Sequence, residues 1–204
     1  MSAHTVDGQL PHEPEKATLE GRNKILGFWL FLGGETVLFA TLFAAFLALR
    51  GQVLDGPTAD QLFDLKLIAL ATGILLTSSL MSVFAVNALH KQNTKSLIGW
   101  LVATVALGVC FLGLEIYEFV HYVGMGHGFT TSAFSSSFYT LVGFHGAHVI
   151  LGVVWISLII YQLKKRGLNT TTAPKVYVAS MYWHFIDVVW VFIFTVVYLM
   201  GKVG

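Results

Sequence analysis

The chain carries the sequence WHFIDVVW at residues 183–190, inside an apolar segment, residues 177–200, that is long enough to cross a membrane. A histidine, His184, and a carboxylate, Asp187, lie three residues apart near the middle of this segment. A charged group at the centre of a membrane-spanning helix costs about 2.5–3.5 kcal/mol on insertion scales, so such groups usually face protein or a cavity. We therefore expect Asp187 to have a partner on a neighbouring helix.

The composition of the whole chain is typical of an integral membrane protein. Apolar residues make up 55% of its 204 residues, charged residues only 11%, and the mean hydropathy is +0.72. Soluble domains carry about 25% charged residues. Five segments have the roughly 20 apolar residues that a spanning helix needs. These segments are residues 25–49, 65–89, 97–122, 136–163 and 177–200.

Proline positions indicate that the five helices are continuous. A proline inside a spanning helix removes a backbone hydrogen bond, and all four prolines lie outside the five segments. They are Pro11, Pro14, Pro57 and Pro174. The sequence therefore predicts an all-α, polytopic membrane protein built as a bundle of five transmembrane helices.

The lysines and arginines predict the orientation of the bundle, because basic loops stay on the cytoplasmic side. Only Arg50, Lys66 and Lys202 fall on the side of the first and third loops and the C-terminus. The other nine fall on the opposite side, in the N-terminal segment and the second and fourth loops. They are Lys16, Arg22, Lys24, Lys91, Lys95, Lys164, Lys165, Arg166 and Lys175. We expect a cytoplasmic N-terminus and an external C-terminus.

Two regions follow from this pattern. Residues 1–24 form a polar cytoplasmic segment with no apolar region of the signal-peptide kind. Residues 25–204 form a single transmembrane domain without an internal repeat or a phosphate-binding loop. The net charge is +1, and the dense basic cluster at residues 164–166 lies just beyond a spanning segment, as headgroup-facing clusters do. Nucleic acid is therefore not an expected partner.

Glu35 lies about ten residues into the first segment, near mid-depth at about 1.5 Å per residue, and directly follows a pair of glycines, which let a neighbouring helix approach closely. Two interpretations remain open for it: an interhelical hydrogen bond or the handling of a proton. The hydroxyls expected as its partners in the second segment are Thr77, Ser78 and Ser79.

Two further pairs of polar residues share helix faces: Glu115 with Glu118, and His145 with His148. Carboxylates and histidines at this spacing are typical of metal sites in helix bundles. The predicted depths oppose that interpretation. Glu115 and Glu118 fall near the outer end of the third segment, about 15 Å from His145 and Asp187 at about 1.5 Å per residue. We therefore expect no metal in this chain.

Interhelical hydrogen bonding is the expected role of these intramembrane residues, with His145 or His148 bound to a carboxylate of a neighbouring segment. The residues assigned to it are Glu115, Glu118, His145, His148, His184 and Asp187.

Three separated motifs, together with the first helix, resemble subunit III of the haem-copper terminal oxidases. The motifs are GLEIYEF at 113–119, GFHGAHV at 143–149 and WHFIDVVW at 183–190, and the first helix carries GETVLF at 34–39. The resemblance runs from about residue 26 to residue 201. Longer members have seven transmembrane helices, and this chain is similar to the five-helix bacterial form. Its ending, FTVVYLMG at 194–201, most resembles the bacterial quinol oxidases.

The resemblance implies a subunit of a proton-pumping quinol oxidase in the bacterial plasma membrane. Such a complex oxidises quinol and reduces oxygen to water in an aerobic respiratory chain. Haem and copper belong to subunit I, so this chain is expected to hold no cofactor and no catalytic residue. The implied partners are oxidase subunits I and II, a small subunit IV and structural phospholipids.

The same resemblance implies a lipid-filled cleft between the first two helices and the remaining three, which guides oxygen toward subunit I. Glu35 matches the family's buried glutamate on that cleft. It is therefore expected to maintain proton uptake by the neighbouring subunit.

Other functions remain open. A bacterial cytochrome c oxidase also has a five-helix subunit III, so the electron donor has two candidates. A small proton-coupled transporter using Glu35 and Asp187 is a second class, although such proteins tend to have repeats and broken helices. A stand-alone di-iron oxidase is a third class, and the predicted ligand depths disfavour it.

Overall fold

Five long α-helices make up most of the computed structural model, which describes residues 10–52, 65–126 and 128–203. All five are long and apolar enough to cross a membrane, and the described residues contain no strand. The predicted all-α bundle is therefore confirmed. The helices are α1 (Leu19–Leu49), α2 (Leu65–His90), α3 (Thr94–Gly124), α4 (Ala133–Arg166) and α5 (Ala173–Ile193). A π-helical turn (Phe194–Leu199) and the short α6 (Met200–Val203) continue α5.

Three of the helices begin before the predicted apolar segments, each after a polar residue that caps its first turn. Thr18, Asn93 and Ser132 precede α1, α3 and α4, and the side chain of each accepts a backbone N–H from the first turn. Capping of this kind satisfies donors that have no partner inside the helix. Hydropathy marks only the part of a helix that suits a membrane, so it missed these polar first turns. Residues 1–9 of the predicted polar segment and Pro57 lie outside the described residues.

The N-terminal residues pack onto the bundle. The turn between α2 and α3 contains Gln92, whose φ of +55° lies in the left-handed region. The Gln92 side chain donates to the carbonyl of Leu10 at 2.6 Å and accepts the Leu10 N–H at 3.2 Å. Glu15, which is only 1% exposed, places Oε1 3.2 Å from Nε2 of His90 at the end of α2. These contacts hold residues 10–18 against one end of the bundle.

α5 lies at the centre of the bundle and contacts α1, α2 and α4. α2 and α3 form the most extensive helix pair, α4 packs against α3, and α1 contacts α4 and α5. Half of the most apolar stretch of α5 is buried, compared with 17% of that of α1. The expected division into two helices and three is therefore wrong, because α2 packs along α3 instead of pairing with α1. Grooves flank α1 on both sides, with volumes of about 520 Å³ against α4 and about 480 Å³ against α5.

The Trp183 indole fixes α5 among its neighbours. It is 1% exposed and lies between Gly108 of α3 and Gly152 of α4. A Cβ atom would lie 2.6 Å from Cη2 of Trp183 at Gly108, and 2.9 Å from Cζ3 at Gly152. The indole N–H donates to Ser78 of α2 at 3.0 Å, and the Ser78 hydroxyl donates to the Thr104 carbonyl of α3 at 3.0 Å. One side chain therefore joins α5 to three other helices.

Gly108→Ala should destabilise the bundle by about 1–3 kcal/mol, because the new methyl group overlaps a ring that has no room to move. The matched control is Gly113→Ala on the same helix, where nothing lies within 4 Å of the new Cβ. Thermal unfolding of the purified chain in a mild detergent, followed by circular dichroism, measures both. Equal midpoints for the two variants would show that the Trp183 contact does not limit stability.

Candidate functional site

Glu35 and His148 form a pair between α1 and α4. Oε2 of Glu35 lies 3.2 Å from Nε2 of His148, and the two side chains are 16% and 10% exposed. Nδ1 of His148 donates to the Phe144 carbonyl at 2.8 Å, because a carbonyl can only accept. Nε2 and Oε2 then need one further proton between them to form a hydrogen bond. The geometry therefore allows a hydrogen bond between the two helices at this point.

The hydroxyls expected as partners of Glu35 lie elsewhere, so that prediction is wrong. Thr77 donates to a carbonyl of its own helix, Ser78 to the Thr104 carbonyl, and Ser79 contacts His184. The reason is the packing: α1 lies on α4 and α5, whereas α2 lies on α3 and α5. Glu35 therefore faces a histidine of α4.

Aromatic groups hold the His148 ring in place. Its centroid lies 5.1 Å from that of Phe39 and 4.9 Å from that of Phe144. The Tyr182 hydroxyl of α5 donates to the His148 carbonyl at 3.2 Å. The neighbouring glycines 33 and 34 have nothing within 4 Å of a Cβ position, so that part of α1 is open to another molecule. The pair is thus fixed on its inner side and accessible from the helix surface beside it.

Glu118 is bonded to two tyrosines. The Tyr122 hydroxyl of the same helix donates to Oε1, and the Tyr198 hydroxyl donates to Oε2 at 3.4 Å. Tyr198 belongs to the π-helical turn after α5, and all three side chains are buried. Glu118 therefore links α3 to the C-terminal part of the chain. The sequence analysis missed both tyrosines, although the spacing of four residues between Glu118 and Tyr122 is a helical signal that could have found one.

Glu115 lies close to His145, and the expected separation of about half a membrane is wrong. A Cβ at Gly146 would lie 2.7 Å from Oε1 of Glu115, so the carboxyl sits against the residue that follows His145. Glu115 is nine residues before the end of α3 (124 − 115), and His145 is twelve after the start of α4 (145 − 133). Their depths differ by about 4.5 Å at about 1.5 Å per residue. The predicted segments place Glu115 seven residues before 122 and His145 nine residues after 136, so they already allowed this proximity.

Three of the predicted polar residues have atoms without a hydrogen-bond partner within the described part of the chain. They are Oε1 of Glu115, both ring nitrogens of His145 and both carboxylate oxygens of Asp187. The His145 ring packs instead on aromatic rings, 6.0 Å from Phe111 and 5.2 Å from Trp190 between centroids. Among the described residues no hydrogen bond reaches either oxygen of Asp187, so the partner expected for it stays a prediction.

His184 links α5 to α2. Its Nδ1 lies 2.7 Å from the Ser79 hydroxyl, and its Nε2 lies 3.4 Å from the Ser180 hydroxyl of its own helix. Ser180 in turn lies 2.8 Å from Ser82 of α2. A polar network thus runs along the contact between the two helices.

In residues 10–52, 65–126 and 128–203, no three His, Cys, Asp or Glu side chains are grouped so that they could hold a metal ion. The polar residues instead form separate pairs and small networks, each within hydrogen-bond reach of a neighbouring helix or buried beside one. Such an arrangement can fix helices and hold protons.

Comparison with known proteins gives one family. The family model described as cytochrome c oxidase subunit III matches residues 14–202. The chain is 60% identical over 196 residues to cytochrome c oxidase subunit 3 of Alkalihalophilus pseudofirmus, covering 96% of this chain and 95% of the relative. It is 61% identical to cytochrome c oxidase subunit 3 of Bacillus subtilis, covering 95% and 94%. It is 47% identical to quinol oxidase subunit 3 of the same organism, covering 98% of both.

Tyr198→Phe should lower stability by about 1 kcal/mol, because Glu118 loses the hydrogen bond that the Tyr198 hydroxyl donates. Tyr117→Phe is the matched control, since Tyr117 is 60% exposed on the same helix as Glu118. Thermal unfolding of the two variants in the same detergent gives the comparison. A Tyr198 variant that unfolds with the Tyr117 variant would show that the link to Glu118 contributes nothing.

Proposed function

We propose that this chain, which belongs to the cytochrome c oxidase subunit III family of the haem-copper oxidases, maintains proton uptake by the catalytic subunit during sustained turnover. The chain is a subunit of an oxidoreductase complex and a multi-pass protein of the bacterial plasma membrane. Its family membership implies partner oxidase subunits. Under this proposal haem and copper lie in subunit I, and this chain contributes no catalytic residue.

The contact between Glu35 and His148 carries the proposal. It joins α1 to α4 at a helix junction, and the rings of Phe39 and Phe144 pack against the imidazole of the pair. A hydrogen bond in such partly buried surroundings is stronger than the same bond in water. The open glycine surface next to Glu35 offers the place where a partner subunit or a lipid would approach.

The grooves beside α1 support the proposed binding of structural phospholipids. Apolar residues line most of both grooves, and rings of Phe28, Phe31 and Trp155 line the one against α4. Apolar grooves of this volume suit lipid acyl chains, because an acyl chain is as apolar as the side chains that line the grooves. Subunits I and II, a small subunit IV and these lipids are the partners we propose.

The proposed layout keeps the two sequence regions. Residues 25–204 form the oxidase subunit domain, and the N-terminal segment lies on the cytoplasmic side with the basic loops. The excess of lysine and arginine at that end supports this orientation. Residues 10–18 then cover the cytoplasmic end of α2.

For the electron donor, we propose cytochrome c. Three relatives named cytochrome c oxidase subunit 3 are 60–62% identical to this chain, whereas five named quinol oxidase or probable quinol oxidase subunit 3 are 45–48% identical. Quinol, which the sequence of residues 194–201 favoured, is the second candidate. The choice between the two electron donors therefore depends on sequence similarity alone.

Glu35→Gln should leave the complex assembled and its initial oxygen uptake unchanged, but activity and proton pumping should fail sooner under continuous turnover. Glutamine can still contact His148 but cannot share a titratable proton with it. Glu20→Gln is the matched control, because that glutamate lies on the same helix in an exposed pair with Lys24. The proposal fails if the purified Glu35 and Glu20 variants lose activity at the same rate.

Purification of the tagged chain in a gentle detergent should yield a haem-bearing complex that consumes oxygen with reduced cytochrome c. Oxygen uptake measured side by side with cytochrome c and with a quinol identifies the donor. Oxygen uptake with quinol alone would identify the complex as a quinol oxidase. It would not bear on the role proposed for Glu35.

A further inference from the structure

A groove runs along one face of α5, between α1 and α2, and is called the α5 groove below. Its first part is a cavity of about 380 Å³ between α2 and α5, and its second part is the space of about 480 Å³ between α1 and α5. Met181 and His184 line both parts, so the two spaces adjoin. The lining on α5 extends from Tyr177 to Val188, eleven residues (188 − 177) or about 16 Å. That length matches one leaflet, which is half of a hydrocarbon core of about 30 Å.

Polar side chains are concentrated at one end of the α5 groove. Asn87, His90 and Tyr177 line it where α2 ends and α5 begins. Toward the middle of the bundle the lining is mostly apolar, and the Thr36 hydroxyl found there donates to a carbonyl of its own helix. The apolar lining residues of that part are Trp29, Leu32, Gly33, Met181, Phe185 and Val188. The groove therefore suits a molecule with a polar end and a long apolar end.

The polar end of the groove lies near the ends of the helices. Asn87 is three residues before the last residue of α2, and Tyr177 is four residues after the first residue of α5. Both therefore lie within about 6 Å of a helix end, at about 1.5 Å per residue. Lys91 directly follows α2 and is exposed. Hydrogen-bond donors and a cation thus stand at the level where a lipid has its ester groups and its phosphate.

The N-terminal residues cross the α5 groove at this end. The turn Pro14–Lys16 packs on α1 and α5, and Glu15 within it lies 3.2 Å from His90 of α2. A helix that spans the membrane would have to continue past this end, where the turn already lies. A lipid ends at the membrane surface and can enter from the side. The groove is open to that side, because Val83 is 48% and Val188 is 54% exposed.

We propose that one phospholipid occupies the α5 groove. Its ester carbonyl oxygens accept hydrogen bonds from the Asn87 amide and the Tyr177 hydroxyl. Its phosphate lies at Lys91, and one acyl chain follows α5 from Met181 to Val188. With the N-terminus on the cytoplasmic side, this lipid belongs to the cytoplasmic leaflet. The inference rests on the proposed binding of structural phospholipids and gives one of them a site and a direction.

Two photoreactive phosphatidylglycerol probes test the site in the intact complex, reconstituted in vesicles of phosphatidylglycerol and phosphatidylethanolamine. One probe carries a diazirine beside the ester group of an acyl chain, and the other carries it near the end of the chain. Mass spectrometry of peptides after irradiation locates each adduct. The first probe should label Val83 or Val86, and the second should label Phe185 or Val188. The reverse order, or no difference in depth between the probes, would overturn the site.

Asn87→Leu should lower labelling of Val188 by the chain-end probe about fivefold, equivalent to about 1 kcal/mol, because the lipid loses one hydrogen bond. Met181→Trp should lower it at least as much, since it narrows the groove where the two parts meet. Thr77→Val is the matched control on α2, because its exposed hydroxyl bonds to the Gly73 carbonyl of its own helix. Unchanged labelling in Asn87→Leu or in Met181→Trp, or an equal fall in Thr77→Val, would overturn the site.

The groove between α1 and α4 separates this inference from lipid binding in general. Phe31 and Leu151 line that groove and are reached by the same probes. Adducts at these two residues without any in the α5 groove would overturn the site proposed here and leave the other phospholipids in place. Adducts in neither groove would overturn both this site and the proposed binding of structural phospholipids.

Discussion

The packing of the Trp183 indole between two glycines is the contact on which the positions of the other side chains depend. A side chain at Gly108 or Gly152 would occupy the space of the ring, so these two positions determine how closely α5 approaches α3 and α4. The hydrogen bond to Ser78 adds α2 to the same contact. In a membrane, where the hydrophobic effect does not drive helices together, such close packing is a main source of stability.

The candidate functional residues take their positions from this contact. Tyr182, the residue before Trp183, reaches the His148 carbonyl, and His148 contacts Glu35. His184, the residue after Trp183, faces α2 and its serines. One buried tryptophan thus sets neighbouring side chains toward two different helices, because successive residues on a helix point about 100° apart. The pair at Glu35 and the network at His184 are consequences of a single packing arrangement.

The sequence predicted the five helices because apolar length is the property that a membrane selects. It also predicted that His145 or His148 bonds a carboxylate of a neighbouring helix, but it did not identify Glu35 as that carboxylate. Two helices become neighbours where small residues on one leave room for large side chains of the other. Hydropathy gives no information about such positions. The separation of Glu115 from His145 was misjudged because His145 was taken to lie at mid-depth, although it is only nine residues from the start of its segment at 136.

Unpartnered polar atoms were the least predictable feature. Asp187 and His145 were expected to form interhelical hydrogen bonds, yet His145 packs on aromatic rings and Asp187 has no bonded partner among the described residues. A sequence shows which residue types can form hydrogen bonds but not whether a neighbour faces them. These two residues separate a structural role from a role in holding protons, and only the packing reveals the difference.

The most direct test of the account is to compare the purified oxidase complex with and without this chain. We predict that removal leaves the haem absorption spectrum and the initial rate of oxygen uptake unchanged, and shortens the time for which the complex pumps protons. Adding the purified chain back should restore that time. Loss of the haem spectrum on removal, or an unchanged working lifetime, would contradict the account.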